Sequence, residues 1–277
     1  MEWGTISTAS IVGMVFTLLI STVLPVVLGI IVYRKTHAKI VSCFIGAGIF
    51  VGFALILERI LHAIVFAVTG NAIQNNIFLY GLYGGLAAAL FEETGRLVAM
   101  KFFMKKNLDR ENALMYGVGH GGAEAIIIVG LTYVSNLINS FWINTGSAQI
   151  ITSQLDSAIQ GTTYQQLETF HSVIQEAVYQ QLQVLWQTPA YHFYMAGVER
   201  LSAIALQICL SVLVYKCVKT GQKKFYAGAL ILHFLVDFVT VVTAGLGMPI
   251  WAVEIEILVI VAIIAWGVAR IYKKDEA

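Results

Sequence analysis

Charge is what this sequence has least of. Asp, Glu, Lys and Arg make up 12% of its 277 residues, about half the share in an ordinary soluble domain. Cysteine is scarce too. Cys43, Cys209 and Cys217 fall in or beside apolar runs at no metal-like spacing, which excludes a disulfide framework and a thiolate zinc site. No basic residue precedes the first apolar run, which speaks against a cleavable signal peptide. No separate soluble block flanks the apolar segments, so a single membrane domain over residues 1–277 is expected. What the sequence has in quantity is hydrophobicity: 58% of residues, with a mean hydropathy of +0.78. That composition is polytopic, with the cell membrane as the expected location.

Runs of about 20 apolar residues mark spans, here roughly 9–33, 40–67, 77–103, 111–137, 189–215, 223–244 and 249–271. Lys and Arg occupy every other connection: Arg34, Lys35 and Lys39; Lys101, Lys105, Lys106 and Arg110; Lys216, Lys219, Lys223 and Lys224; and Arg270, Lys273 and Lys274 at the end. The intervening connections have none. The positive-inside rule then puts the N-terminus outside and the C-terminus in the cytoplasm, which an odd number of spans requires. The expected fold is all-α, with seven transmembrane helices.

Residues 138–188 form a long outer loop, Gln-rich and free of Lys and Arg across 153–188. Leu167, Phe170, Ile174, Val178, Leu182 and Leu185 recur at helical spacing, and Thr163 with Gln166 matches a capping box. One or two amphipathic helices at the interface are expected, shielding the bundle or covering a site.

Three arginines escape the basic belts: Arg59, Arg96 and Arg200. Each follows a glutamate closely, so intrabundle ion pairs Glu58–Arg59, Glu92/Glu93–Arg96 and Glu199–Arg200 are expected. Counting at 1.5 Å per residue, Glu92 and Glu93, His120 and His233 all lie roughly 14 Å from the basic belt. Glu124 and Asp237 follow their histidines by four residues, on the same helix face. Structural polar residues need not share a depth; these do.

Near that layer Glu92, Glu93, Glu124, Glu199 and Asp237 face only Arg96 and Arg200, an excess of about three negative charges. Such an excess either keeps carboxylates protonated, as proton carriers, or binds a cation. Imidazole with carboxylate is a good zinc set. Glu92 and Glu93 point about 100° apart on a helix, so one can hold Arg96 while the other faces the site as general base, with a slight preference for Glu93 in that role. His120 and His233 are candidate metal ligands or water-holding groups. Glu124 and Asp237 complete the ligand set or orient the imidazoles. Glycines 117, 119, 121 and 122 around His120 permit close helix approach or a locally opened helix. His62, His171 and His192 read as structural or interfacial, and Glu254 and Glu256 as groups within reach of water.

"EETGR" (92–96), "GHGGAEA" (119–125), "ER" (199–200) and "HFLVD" (233–237), each in its own span and in this order, resemble the YhfC family of bacterial membrane proteins. That family is grouped with the intramembrane CAAX-type proteases, which include the PrsW proteases and bacteriocin-processing and immunity proteins. The resemblance covers essentially the whole chain and implies a CAAX-protease-like bundle with glutamate- and histidine-dependent peptidase activity and a zinc ion. It maps catalysis to Glu92, Glu93, Arg96, His120 and His233, with Glu124, Glu199, Arg200 and Asp237 in support. A metal would fall to His120, Glu124, His233 and Asp237. The arginine follows as EExxR, closer to the PrsW pattern than to EExxxR, and HxxxE and HxxxD replace the commoner second and third motifs. Which of His120 and Glu124 meets the metal therefore stays open. The expected partners are a membrane protein or peptide substrate and the lipid bilayer, with no nucleic acid. A proton- or cation-coupled transporter and a non-catalytic scaffold or immunity-type protein are the rival readings, because the wider group also includes a scaffold subunit of γ-secretase.

Overall fold

In the computed structural model, residues 3–150 and 165–273 are described, side chains of 165–175 excepted. The expected Thr163–Gln166 capping box, and the side chains of Leu167, Phe170 and Ile174, lie outside the described residues. The described chain forms eight long helices: α1 (Thr8–Thr36), α2 (Ile40–Thr69), α3 (Ile77–Val98, continued by a π-helical turn Ala99–Phe103), α4 (Arg110–Asn144), α5 (Gln165–Gln187), α6 (Ala190–Thr220), α7 (Lys224–Gly245) and α8 (Ile250–Lys273). No strand occurs among the described residues.

Local chemistry sets the helix ends. Ser7 caps α1 by accepting from the Ser10 amide, Asn76 caps α3 by accepting from Phe78 and Leu79, and Asp109 caps α4 through Asn112. Such caps satisfy amides that the first turn leaves without intrahelical partners. α6 stops at Gly221, whose φ of +72° suits a residue without Cβ.

Six helices are long and apolar enough to cross a membrane: α1, α2, α4, α6, α7 and α8. Their starts match the expected spans to within one residue, and their ends run one to seven residues further. The remaining expected span, 77–103, is α3. It is helical throughout but is not one of the six, and it is the helix that carries Glu92, Glu93 and Arg96.

The basic connections gather at one end of the bundle. There Asn112 Oδ1 accepts from the Lys39 amide (2.8 Å) and from Ser42 Oγ (2.8 Å), tying α2 to α4. The Arg110 guanidinium lies 4.9 Å from the Tyr272 ring, joining α4 to α8. At the opposite end Asn144 bridges to both backbone groups of Ile6. α5 docks there through buried Leu185 and through Trp186 and Tyr179, whose rings meet Trp3. Among the described residues, α5 contributes nothing to the lining of the polar cavities described below.

α6 is the central helix, packed on α1, α4, α7 and α8, while α2 packs on α4 and α3 on α7. The glycines around His120 are packing devices. A Cβ on Gly119 would fall on the Cys43 carbonyl oxygen, and one on Gly117 would lie 2.6 Å from the Ile208 Cα. Gly46 of α2 meets the Tyr116 carbonyl in the same way. His120 is thus held where α2, α4 and α6 touch backbone to backbone. The local opening of the helix comes one turn later, in a π-helical stretch over Ala125–Gly130 that directly follows Glu124. A second runs over Phe50–Glu58 in α2.

Replacing a helical glycine by alanine gains up to about 1 kcal/mol of helix propensity, whereas forced overpacking costs about 1–3 kcal/mol. At Gly119 the obstacle is backbone, which cannot rotate away. Gly119→Ala is therefore expected to lower the thermal unfolding midpoint in detergent. Gly48→Ala, which meets nothing within 4 Å, is expected to leave it unchanged or raise it.

Candidate functional site

The residues that share a depth in the sequence meet in one hydrogen-bonded chain linking α3, α4, α6 and α7. Arg96 and Glu93 are both 0% exposed. Arg96 Nη1 donates to Glu93 Oε1, and its Nη2 donates to Gln207 Oε1. Gln207 Nε2 then donates to Glu92 Oε2 (2.9 Å) and to Glu124 Oε2 (2.9 Å). This fixes the amide orientation, because a guanidinium only donates and carboxylates accept. Glu124 Oε1 accepts from Arg200 Nη1 (2.9 Å), and the rest of that guanidinium forks onto both oxygens of Glu199.

Each histidine is paired to one glutamate of α3. His120 Nε2 lies 2.9 Å from Glu92 Oε2, and His233 Nδ1 lies 2.8 Å from Glu93 Oε1. Because each carboxylate oxygen accepts, these contacts assign the proton to Nε2 of His120 and Nδ1 of His233 in the neutral rings. His233 Nε2 is then left facing Asp237 Oδ2 at 3.5 Å. The two α3 glutamates divide the work. Glu93 holds Arg96, and Glu92 turns outward to line two cavities. Glu93 and His120 line neither.

One cavity, of about 170 Å³, lies between α6, α7 and α8. Its walls include Glu92, Glu124, Glu199, Arg200, His233 and Asp237. The other, of about 580 Å³, lies between α2, α3 and α4. Glu58, Arg59, His62 and Tyr83 line it together with Glu92 and Glu124. The two cavities share those last two carboxylates as a common wall.

Two of the three expected arginine pairs form, Glu93–Arg96 and Glu199–Arg200. The third does not: Glu58 pairs instead with His62 one turn on (3.1 Å), whose other ring nitrogen meets Tyr83 Oη at 2.8 Å. Glu58 and His62 are i,i+4 neighbours on one helix face, whereas adjacent residues diverge. His62 therefore belongs to a polar chamber wall. Glu254, expected to meet water, is buried at 4% exposure.

Gln207 is the member of this network that sequence reading misses. It is neutral and alone in the run "LSAIALQICLSVLVY", and its only signal is its place seven residues, two helical turns, after Arg200.

For a metal, the donor chemistry fits. His233 Nε2 and the carboxylates of Glu92, Glu124 and Asp237 face one small cavity, a nitrogen–oxygen set suited to a zinc-class ion. In the conformation described His233 Nε2 faces Asp237 while Glu92 and Glu124 are engaged by His120, Gln207 and Arg200, and among the described residues no three His, Cys, Asp or Glu side chains converge as a ready metal site. His120 lies behind Glu92, its Nε2 engaged by that carboxylate and its Nδ1 buried without a partner.

Removing Gln207 takes a partner from Arg96, Glu92 and Glu124, and strands Arg96 Nη2 and Glu124 Oε2, while Glu92 Oε2 keeps His120. Each unsatisfied buried polar group costs about 1–3 kcal/mol, so Gln207→Leu is expected to lower the unfolding midpoint despite being more apolar. Gln207→Glu, which still accepts from Arg96 but cannot donate to Glu92 or Glu124 when ionised, is expected to be no better at neutral pH. Thermal melts of the purified proteins in one detergent check both.

The profile of the family described as YhfC intramembrane metalloprotease matches residues 20–259. A Bacillus subtilis (strain 168) protein described as an uncharacterized membrane protein, YhfC, is 36% identical over 271 residues, covering 96% of this chain and 97% of the relative. No solved structure matches. With several helices fit to cross a membrane, a family match over most of its length and a relative alike from end to end, this multi-pass membrane protein belongs to the YhfC intramembrane metalloprotease family.

Proposed function

We propose that the chain is an intramembrane peptidase in which Glu92 is the general base. The observation that carries this reading is the division between the two glutamates. Glu93 is sealed against Arg96, whereas Glu92 reaches both cavities while held by His120 and Gln207. A base must meet its water within hydrogen-bond reach, and only Glu92 of the two is exposed to a space that can hold one.

In this mechanism a water in the small cavity, which Glu92 and His233 both line, donates one hydrogen to Glu92. Its oxygen lone pair then attacks the carbonyl carbon of the scissile peptide as Glu92 takes that proton. Glu92 returns that proton to the leaving amine nitrogen when the C–N bond breaks. His120 and Gln207 fix the Glu92 carboxylate, and Glu93, anchored by Arg96, fixes the His233 ring. His233, Asp237 and Glu124 are the residues that would hold a zinc ion, which when bound supplies Lewis-acid polarisation of the carbonyl and a more acidic water. His120 acts in this reading as a positioning residue for Glu92.

We also propose that α3 crosses the membrane, giving seven spans with the N-terminus outside. Its three charges are partnered by α4, α6 and α7, which removes most of the cost of carrying them in lipid.

Three results would check these roles. Glu92→Gln is expected to reduce peptide cleavage by about 10²–10⁴-fold with an unchanged melting profile. Glu93→Gln, which leaves the Arg96 charge buried without its counter-ion, is expected to cost about 3–5 kcal/mol of stability along with activity. Full cleavage by Glu92→Gln would remove it as the base. Metal analysis of purified protein is expected to find about one zinc per chain, lost in His233→Ala and Asp237→Ala and kept in His120→Ala. Zinc lost only in His120→Ala would reassign the ligand set.

A further inference from the structure

The two cavities extend from Glu92 in one direction only. The larger runs along α2 and α3 from Phe50 and Glu92 to Phe66 and Tyr80, which lie within four residues of the connection 70–76. The smaller runs from His233 and Gln207 to Glu199 and Thr240, toward the α6 start and the α7 end. Both therefore point away from the basic connections.

On the basic side the site is closed. Ala99, Met100, Met104, Ala113, Tyr116, Leu210, Val214 and Ala229 are all 0% exposed and belong to one apolar cluster. Exposure rises in the other direction. Arg96 and Glu93 have none, while the side chains of Glu199 and Asp237 are 28% and 32% exposed. A dry, close-packed plug excludes water, and charged or polar walls in an open cavity retain it.

We infer that the site is hydrated, and takes its substrate, from the membrane face opposite the basic connections, so that its substrate is a segment of a membrane-anchored polypeptide exposed on that outer side. The inference rests on the peptidase reading for the word substrate, but not for the direction of access. Hydrolysis at Glu92 needs room for the chain on both sides of the scissile bond. The chambers flanking Glu92 supply it. The larger is walled by Phe50, Phe66, Tyr80 and Tyr83 and suits bulky apolar residues. The smaller is predominantly acidic and suits a short side chain and the cationic amine that cleavage releases. Arg59 adds a positive charge to the larger chamber, beside Glu58.

The test reads accessibility rather than catalysis. In a C43A/C209A/C217A background, Gly84→Cys introduces a thiol in the larger chamber, at a position where a Cβ meets nothing within 4 Å. Thr240→Cys introduces one in the smaller chamber. Lys219→Cys and Gln74→Cys mark the basic end and the opposite end. Each protein is treated with a membrane-impermeant maleimide in intact cells and in inside-out vesicles. Gly84→Cys and Thr240→Cys are expected to label in the same preparation as Gln74→Cys and not in that of Lys219→Cys. Labelling from the Lys219 side, from both sides, or from neither while the two markers react would overturn the inference. Because no cleavage is measured, that outcome leaves the peptidase reading to be decided by Glu92→Gln.

Discussion

The site is organised around one guanidinium that has no access to water. A charge moved from water into a low-dielectric interior costs several kcal/mol even after relaxation, and only close, well-hydrogen-bonded partners offset it. Arg96 is 0% exposed, so its partners are fixed by necessity. Glu93 on its own helix supplies the counter-charge and Gln207 on α6 supplies a neutral acceptor. Both partners are then spent on one side. Gln207 has its two amide hydrogens left, and they reach Glu92 and Glu124. Glu93 also receives His233. Each further contact is a consequence of satisfying a group that the previous one buried.

This ordering explains how one helix can carry two adjacent carboxylates with different fates. Sharing Arg96 between Glu92 and Glu93 would have left the cavity wall without an acceptor. Instead the i,i+3 partner holds the arginine and the other carboxylate is aimed by two neutral donors, His120 and Gln207. Neutral donors orient an anion without cancelling its charge, which keeps Glu92 a competent proton acceptor. Arg200 is used differently: with Glu199 on its fork and Glu124 on its remaining nitrogen, it offsets the acidic wall at a distance from Glu92.

Much of this was legible in the sequence because lipid makes charge expensive. Helix positions follow from apolar run length, and the meeting of α3, α4, α6 and α7 follows from polar residues recurring at one depth. Rotation about the helix axis is a different matter. Whether Glu92 or Glu93 faces the cavity depends on how α3 seats against α7, a tertiary fact that spacing along one helix does not contain. Gln207 escaped because a single neutral amide has no partner in sequence to flag it. Adjacency in the sequence pairs Glu58 with Arg59, whereas its partner in the structure is His62, one turn away. The glycines around His120 signalled close approach but not its partners, Cys43 and Ile208. The π-helical stretches at Phe50–Glu58 and Ala125–Gly130 have no compositional signature here.

Those stretches connect the packing to the chemistry. Glycines 117 and 119 lock α4 against α6 and α2 up to His120, so the backbone cannot yield there. Immediately after Glu124 the helix widens into π geometry, and α2 does the same where it passes Phe50. A π turn shifts the register of the residues beyond it, and such turns are frequent at functional sites. Phe50, Ala54 and Glu58 from one widened stretch and Ile128 from the other line the larger chamber. The Glu92 layer is closed by dry apolar packing on the basic side, where the π turn of α3 at Ala99–Phe103 is itself packed, and open to the chambers beyond it. In the proposed peptidase that asymmetry lets the Glu92 carboxylate meet water while the arginine that anchors its neighbour stays dry.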